Sequence, residues 1–583
     1  MQDWEGLQSM CFVLLRQGTN PGQLVTALDE VRKTSLPAEK AAQFAYHMLP
    51  LADLNHERSG MAPRPVLYAL IAVGLLLVFA SCINYINLAT AQALQRAQEV
   101  GVRKVVGSSQ FQLIRQFMLE TLMLTVFAVV ISLMLTQMAM PLVNQTLAKQ
   151  VDMLHPAISI LDLLRPISLQ WFLILIAGVV LLAGLYPAWV LSRFNPTQAL
   201  AGQLTIRNVG GFTIRRTLIT GQFVLSQLFL IVVLVITAQL KHMQRVDWGF
   251  RHENKLTVWL SPPNPIPYSQ LSQSWLQLPG VTSVTYASDP PASPYNRPTP
   301  FSFHISSKPE PFETRLRAAD EHYLSAFGLT LVAGRNFQSA DTTAQEVLVN
   351  ETLVRQLGVS PGTVIDKRMR LKDADGIIVG VVKDFRSGDL HQPIMPVTIV
   401  HDLGHTTMAV LTLSPAHPQT TSKAIEKVWD EIMPHQVYKA DHLDELLGSF
   451  LDMERLLAGF VQAFALIAMA MSCLGLYGLV TFMADGRARE IGVRRVLGAR
   501  TVQLLWIFGR EFGRLIIIGF LIAAPLGWWL TGSWLQQYAH RITSGVWPLA
   551  ATLGITALIT ALTVLGHALK AAMQSPVKYF RGQ

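Results

Sequence analysis

The chain has 583 residues, of which 51% are apolar and only 15% are charged, and its formal net charge is +9. A mean hydropathy of +0.34 argues against an ordinary water-soluble protein, because the apolar residues occur in runs that approach or exceed the ~18 residues needed to cross a bilayer. The positive charge does not indicate nucleic-acid binding, since the basic residues are concentrated in short segments between those runs.

No such run, and no signal-peptide pattern, occurs in the first 62 residues. Seven candidate transmembrane helices follow, because a buried core helix would explain one apolar run but not seven. They lie at about 66–89, 118–140, 170–192, 217–240, 456–484, 515–532 and 547–569.

The basic residues alternate between the two sides of these spans. Arginines and lysines are dense after the first, third, fifth and seventh spans, whereas the loops 141–169 and 533–546 carry only Lys149, Arg165 and Arg541. Cytoplasmic loops are the ones enriched in Lys and Arg. This pattern predicts a cytoplasmic C-terminus and an extracytoplasmic segment at 241–455.

A short motif after the first span is repeated after the fifth. Residues 96–107 read Arg-Ala-Gln-Glu-Val-Gly-Val-Arg-Lys-Val-Val-Gly, and residues 487–498 read Arg-Ala-Arg-Glu-Ile-Gly-Val-Arg-Arg-Val-Leu-Gly. Internal repeats indicate an architecture built twice. In the first copy Val102, Val105 and Val106 have helical spacing, which predicts a short amphipathic helix at the cytoplasmic surface.

An interfacial anchor would explain the basic residues and the apolar face of each motif. It would not explain Glu99 and Glu490, which are unfavourable beside anionic lipid, whereas a protein-docking helix explains both signs of charge. The candidate docking residues are Glu99, Gly101, Arg103, Lys104 and Gly107, with Glu490, Gly492, Arg494, Arg495 and Gly498 in the second copy.

Residues 241–455 hold most of the Pro, Asp and Ser. Short strand-like runs such as Val281–Ala287 and Met408–Leu413 alternate with helical stretches such as 420–432, which predicts an α+β domain. The segment has no Gly-x-Ser-x-Gly elbow, and the whole chain lacks a Gly-x-x-x-x-Gly-Lys-Ser/Thr loop for ATP. We therefore expect a non-catalytic protein with no catalytic residue, metal or cofactor of its own.

The repeated motif resembles the cytoplasmic signature of FtsX-like, or MacB-type, ABC permease domains. Further resemblances to this family lie at 84–88, 239–250 and 50–54, and residues 378–385 resemble its MacB-like core domain. Members of the long form have two modules, eight spans and two outer domains. With seven spans and one outer domain here, we expect that an N-terminal portion is missing; the alternative is an unusual translocation of the first residues.

The resemblance implies an α-helical polytopic membrane protein of the bacterial inner membrane, with two FtsX-like modules and one α+β MacB-like core domain. The implied divisions are a remnant of a first outer domain (1–62), module 1 (63–203), a linker and transmembrane helix (204–240), the core domain (241–455) and module 2 (456–583).

The resemblance also implies partners. Two copies of a separate cytoplasmic ATPase subunit, which binds ATP and Mg, would dock on the two motifs, with the glycines shaping each helix and the charges pairing with the ATPase. Membrane lipid and a periplasmic adaptor are further expected partners. The implied activity is export driven by the ATPase. Non-transporting signalling, such as control of a cell-wall hydrolase, is the alternative; an ion-driven carrier is a weaker one, because acidic residues are scarce within the spans.

Overall fold

The computed structural model describes most of the chain. The described residues are 12–16, 18, 20–35, 48, 50–51, 64–93, 96–150, 158–193, 211–260, 267–294, 298–304, 309–338, 345–371, 374–415, 418–486, 501–543 and 545–573. The chain divides into two units, residues 1–75 and residues 76–583. The first unit contains helix α1 (Pro21–Ser35), in which Asp29 forms ion pairs with Arg32 and Lys33.

Long helices account for the apolar runs. They are α2 (Arg64–Ala93), α4 (Gln110–Gln150), α5 (Pro166–Ser192), α6 (Gly211–Met243), α12 (Asp452–Gly486), α13 (Thr501–Leu535) and α14 (Trp547–Met573), with the short helix α3 (Ala97–Val105) and a 3-10 helix (Ile160–Leu164) between them. Six of them, α2, α4, α5, α6, α12 and α13, are long and apolar enough to cross a membrane. The seventh predicted span falls on α14, whose apolar part Trp547–Thr563 is shorter.

The fourth apolar helix, α6, packs against α12, α13 and α14. Its Gln222 donates a hydrogen bond through Nε2 to the Met471 carbonyl at 2.6 Å, and Gln227 donates through Nε2 to the Ile516 carbonyl at 3.3 Å. The hydroxyls of Ser226 and Ser472 are also hydrogen-bonded. Such bonds join transmembrane helices because polar groups find few other partners among lipid tails. Helix α6 therefore belongs to the same helix bundle as α12, α13 and α14.

Residues 244–451, here called the sheet domain, lie between α6 and α12. The strands are β1 (Lys255–Trp259), β2 (Val281–Ala287), β3 (Pro298–Thr299), β4 (Phe301–Phe303), β5 (Thr314–Ala319), β6 (Leu331–Gly334), β7 (Gln345–Asn350), β8 (Arg368–Leu371), β9 (Ala374–Val382), β10 (Val397–His401), β11 (Met408–Leu413) and β12 (Ala440–His442). The helices are α7 (Tyr268–Leu276), α8 (Tyr323–Phe327), α9 (Glu351–Gln356), α10 (Pro418–Ile432) and α11 (Leu443–Ser449).

The strands form one mixed sheet in the order β12-β1-β11-β2-β5-β10-β7-β9-β8-β4, with β3 on β5 and β6 on β9. The pairs β5/β10 and β7/β9 are parallel, and the other pairs are antiparallel. Strands β2 and β5 are joined by a single residue pair, Ala287 with Ala319. This narrow connection divides the sheet into two halves. The combination of a mixed sheet with the five helices α7–α11 confirms the predicted α+β class.

Each half of the sheet has its own hydrophobic core. In the first half α7 and α10 bring Trp275 and Trp429 together, with stacked rings whose centroids are 6.4 Å apart. In the second half β7, β8, β9 and α9 enclose a cluster around Val347 and Leu353. A third cluster, which includes Met243, Leu451 and Tyr538, joins the sheet domain to the ends of the membrane helices.

Candidate functional site: the helix after the first span and the base of the sheet domain

The first copy of the repeated motif forms α3, between α2 and α4, as the sequence predicted. Three helices that are long and apolar enough to cross a membrane, α4, α5 and α6, separate α3 from the sheet domain along the chain.

One face of α3 is packed against its own module. Val100 is only 2% exposed and contacts a cluster formed by Leu113 and Phe117 of α4 and by Ala188 and Leu191 of α5. Gly101 is also buried on this face. The helix is therefore seated on α4 and α5 rather than held only by its two connections.

A network of charged and amide groups adds to this seat. Glu99 and Arg103 form an ion pair at 2.6 Å within α3, and Arg103 donates through Nη1 to Gln116 Oε1 of α4 at 2.6 Å. Gln116 donates to Glu120 Oε1 at 3.3 Å, and Arg96 pairs with the other Glu120 oxygen at 2.8 Å. The Glu120 carboxylate raises the pKa of Arg96. Single exposed pairs contribute little, but a connected network fixes the orientation of the helix.

The C-terminal end of α3 depends on Gly107. Its φ is +105°, and its N–H donates to the Lys104 carbonyl while Ser108 N–H donates to the Arg103 carbonyl. A left-handed residue just after a helix that satisfies the last carbonyls is the usual role of glycine. Lys104, whose pKa is lowered by partial burial, lies in this last turn.

The outward face of α3 is apolar. Val102, Val105 and Val106 are 51%, 65% and 82% exposed, and the Glu99 side chain beside them is 54% exposed. The sequence motif drew attention to the charges and glycines, and these valines were not among the candidate docking residues. The i, i+3, i+4 spacing could have identified them, but it did not show which way they face.

Replacing Gly107 with alanine should loosen the end of α3. An alanine at φ +105° meets no steric obstacle from neighbours, yet its backbone is strained by about 1 kcal/mol. Hydrogen exchange of the amides at 104–108 should then be roughly fivefold faster. Gly509→Ala is the matched control, because Gly509 lies within α13 and also has open space around it. Equal exchange at 104–108 in Gly107→Ala and the wild type would contradict this role.

The second copy of the motif, with Glu490, Gly492, Arg494, Arg495 and Gly498, lies outside the described residues. The repeat is nevertheless visible beside it, at the position of α13 that matches Glu120. There Glu511 pairs with Arg216 of α6 at 2.7 Å, as Glu120 pairs with Arg96 in the first module.

The base of the sheet domain is fixed to the helices by a second cluster, here called the junction. His391 Nε2 is 3.2 Å from Glu454 Oε1 at the start of α12, and the Glu454 side chain is only 8% exposed. The His391 ring stacks on Tyr538 with centroids 4.4 Å apart, and its carbonyl accepts a bond from Ala539 N–H at 3.2 Å. Gln239 of α6 donates to the His540 carbonyl at 2.7 Å and accepts from Ile542 N–H at 3.0 Å.

His391 thus joins one loop of the sheet domain to α12 and to the connection between α13 and α14, and Gln239 joins that connection to α6. The Glu454 carboxylate raises the pKa of His391, and Asp389 acts in the same direction. Burial lowers the pKa of His540, and nearby Arg386 adds to this effect. His391 is therefore the member of the junction held more strongly in its charged form.

Two further histidines of the sheet domain, away from the junction, each lie close to one carboxylate. His401 Nε2 is 3.4 Å from Glu321 Oε2, and His405 Nδ1 is 2.7 Å from Asp402 Oδ2. Within the described ranges, no group of three or more His, Cys, Asp or Glu residues is arranged to hold a metal ion.

Comparison with known proteins assigns both parts of this architecture. The family described as FtsX-like permease C-terminal matches residues 71–196 and 463–576, and the family described as MacB-like periplasmic core domain matches residues 224–428. The fold and the sites thus define a multi-pass membrane permease with a periplasmic domain. The chain belongs to the FtsX-like, MacB-type ABC transporter permeases.

Individual relatives are distant. A macrolide export ATP-binding/permease protein MacB from Mannheimia succiniciproducens is 24% identical over 219 residues, which are 35% of this chain and 33% of the relative. The uncharacterized ABC transporter permease YvrN from Bacillus subtilis is 22% identical over 286 residues, 45% of this chain and 65% of the relative. The crystal structure of the periplasmic region of MacB from Actinobacillus actinomycetemcomitans is 14% identical and covers 35% of this chain and 94% of that structure, with a TM-score of 0.26.

Proposed function

We propose that this chain is the permease subunit of an ABC-type complex in the bacterial inner membrane. A separate cytoplasmic ATPase subunit would bind ATP and Mg and dock on α3, and its motion would reach the sheet domain and export a substrate. The observation that carries this proposal is the outward face of α3, where exposed Val102, Val105 and Val106 lie beside Glu99. The opposite face of this helix packs against α4 and α5, which hold it in place.

This surface suits a protein partner better than solvent alone. Exposed apolar side chains rimmed by charge are typical of interaction sites. The Glu99–Arg103 pair presents both signs of charge at the edge of the valines, which favours a partner with charges of its own over a purely anionic lipid surface. Because α3 is packed against α4 and α5, a movement of the bound partner would be transmitted to these helices.

The sequence repeat extends the proposal to a second binding site for the ATPase subunit. Residues 487–498 repeat 96–107 at eight of twelve positions, so each module would receive one ATPase subunit and one chain would bind two. In this arrangement α3 and the C-terminus are cytoplasmic and the sheet domain is extracytoplasmic.

The junction supplies a route from the membrane helices to the sheet domain. Movement of α12 is passed on through Glu454 and His391, and movement of the connection between α13 and α14 through Tyr538 and Ala539. Because these contacts converge on one loop, the sheet domain would follow the helices instead of moving freely on flexible linkers.

Charge reversal in the two motifs tests the proposal. The chain is co-purified with its ATPase subunit as the wild type, Glu99→Lys, Glu490→Lys and the double variant. Each reversal breaks a charge-assisted contact, so we expect bound ATPase to fall stepwise, by roughly tenfold per site. Glu445→Lys, at an exposed position of the sheet domain, should bind like the wild type. Unchanged binding in the double variant, with the chain still folded in membranes, would refute the docking assignment.

A further inference from the structure

A cavity of about 410 Å³ opens in the sheet domain, close to the junction. Its described lining residues come from four separate segments and are Ser293, Pro294, Pro298, Arg315, Asp389, Gln392 and Phe450. This volume is in the range of small-molecule sites, which are ~300–1,000 Å³. The docking and junction residues do not form its walls.

The cavity has one arginine, Arg315, among its described lining residues. Arg315 of β5 is partly buried, and its Nη1 atom is shielded from solvent without a hydrogen-bond partner among the described residues. A shielded guanidinium nitrogen without a partner is unfavourable, and carboxylates and phosphates are the groups that a guanidinium binds best, by two parallel bonds.

The neighbouring charges are already engaged and do not fill this role. Arg317, two residues along the same strand face, pairs with Asp289 at 3.3 Å and donates to the Ser387 carbonyl. Asp389 accepts bonds from the backbone N–H groups of His391 and Gln392, which hold its carboxylate against its own loop. Because these neighbouring groups are engaged elsewhere, Nη1 of Arg315 is left open to an anion.

The rest of the cavity is apolar on one side and close to the membrane. Phe450, Pro294 and Pro298 contribute apolar wall. Phe450 lies two residues before α12, whose apolar span begins at Glu454. The loop that carries Asp389 also carries His391, the partner of Glu454. The cavity thus lies at the membrane-facing base of the sheet domain.

We propose that this cavity binds an amphipathic anion, with its phosphate or carboxylate head on Arg315 and its apolar chain against Phe450 and the two prolines. The outer leaflet of the membrane presents molecules of this kind beside the cavity. Binding does not require the ATPase, so the proposal stands apart from the docking assignment and fails or succeeds separately.

Photo-crosslinking of the complete chain tests this site. The chain is reconstituted alone in phosphatidylcholine nanodiscs that contain a diazirine-bearing phosphatidylglycerol, and crosslinked peptides are mapped by mass spectrometry. We expect labelling of peptides that cover 288–294 and 387–392. Loss of the charged contact in Arg315→Gln should reduce that labelling about tenfold, while Arg315→Lys should retain part of it. Arg368→Gln is the matched control, because Arg368 is an exposed arginine on β8 of the same domain.

A cavity-filling variant and two competing ligands distinguish an amphiphile site from a free-anion site. Ser293→Trp fills the cavity without removing the charge and should also abolish labelling, with thermal unfolding confirming that each variant is folded. Water-soluble glycerol phosphate should compete poorly, because it lacks the apolar chain. Equal competition by glycerol phosphate and by short-chain phosphatidylglycerol would overturn the amphiphile assignment in favour of a free-anion site. Wild-type chain without label at these peptides, or undiminished label in folded Arg315→Gln, would overturn the site itself.

Discussion

Replacing Val105 and Val106 with aspartate should abolish binding of the ATPase subunit while leaving the membrane domain folded. Both side chains are largely exposed, so the change adds no buried charge to the chain itself. In the complex they would be covered, and burying two carboxylates in an apolar contact would cost several kcal/mol. We expect at least a hundredfold loss of affinity, measured by titrating the ATPase subunit onto the chain in nanodiscs.

Val437→Asp provides the comparison for this variant, because Val437 is 89% exposed and belongs to the sheet domain and not to α3. It should bind the ATPase as the wild type does. Full-affinity binding by Val105→Asp/Val106→Asp would show that the exposed valines face lipid or solvent in the complex, and the docking surface would have to lie elsewhere.

Replacing His391 with phenylalanine should weaken the attachment of the sheet domain to the helices. A phenyl ring can keep the stacking on Tyr538, but the Glu454 carboxylate, whose side chain is 8% exposed, then loses its cation. Removing one partner of a fully buried pair costs about 3–5 kcal/mol, and the cost here is smaller because the His391 side chain is 34% exposed and solvent screens the pair. We expect a clear fall in the thermal unfolding temperature, and recovery of part of it in His391→Phe/Glu454→Gln, which removes the unpaired charge.

The same variant should alter the pH dependence of stability. The pKa of His391 is raised in the folded chain, so the charged pair contributes fully below the unfolded pKa of ~6.5 and is lost as pH rises through the folded value. The difference in unfolding temperature between wild type and His391→Phe should therefore be largest near pH ~6 and shrink at alkaline pH. His405→Phe, at an 84% exposed position, should show neither effect. A difference that does not change with pH would mean that the ion pair does not contribute.

Much of this architecture could be predicted from sequence because its signals are local. Apolar runs gave the positions of the spans, and β2 and β11 coincide with the runs predicted at Val281–Ala287 and Met408–Leu413. Strand β5 was not predicted, since Thr314–Ala319 contains two arginines and few of the β-branched or aromatic residues typical of strands. Its Arg317 is buried only because Asp289, distant in sequence, supplies an opposite charge.

In the candidate sites, too, local features could be predicted from the sequence and contacts between distant residues could not. The repeated motif predicted α3, because helical periodicity can be read within twelve residues. Of its two glycines only Gly107 forms a turn at the helix end, whereas Gly101 lies within α3. The direction in which the helix faces depends on α4 and α5, which bury Val100 and leave Val105 outside. The junction could not be predicted, since His391 and Glu454 are brought together only when the loop before β10 folds back to α12.

The central claim is that ATP binding on one side of the membrane moves the sheet domain on the other. The most direct measurement is the distance between spin labels at Leu161, in the 3-10 helix of the first module, and at Val437, both exposed, with Cys11, Cys82 and Cys473 replaced. The complex with the ATPase subunit is measured with and without ATP. We predict a shift in the distance distribution on adding ATP, abolished by Glu99→Lys/Glu490→Lys. A distribution that is unchanged by ATP, in a complex that hydrolyses it, would contradict the account.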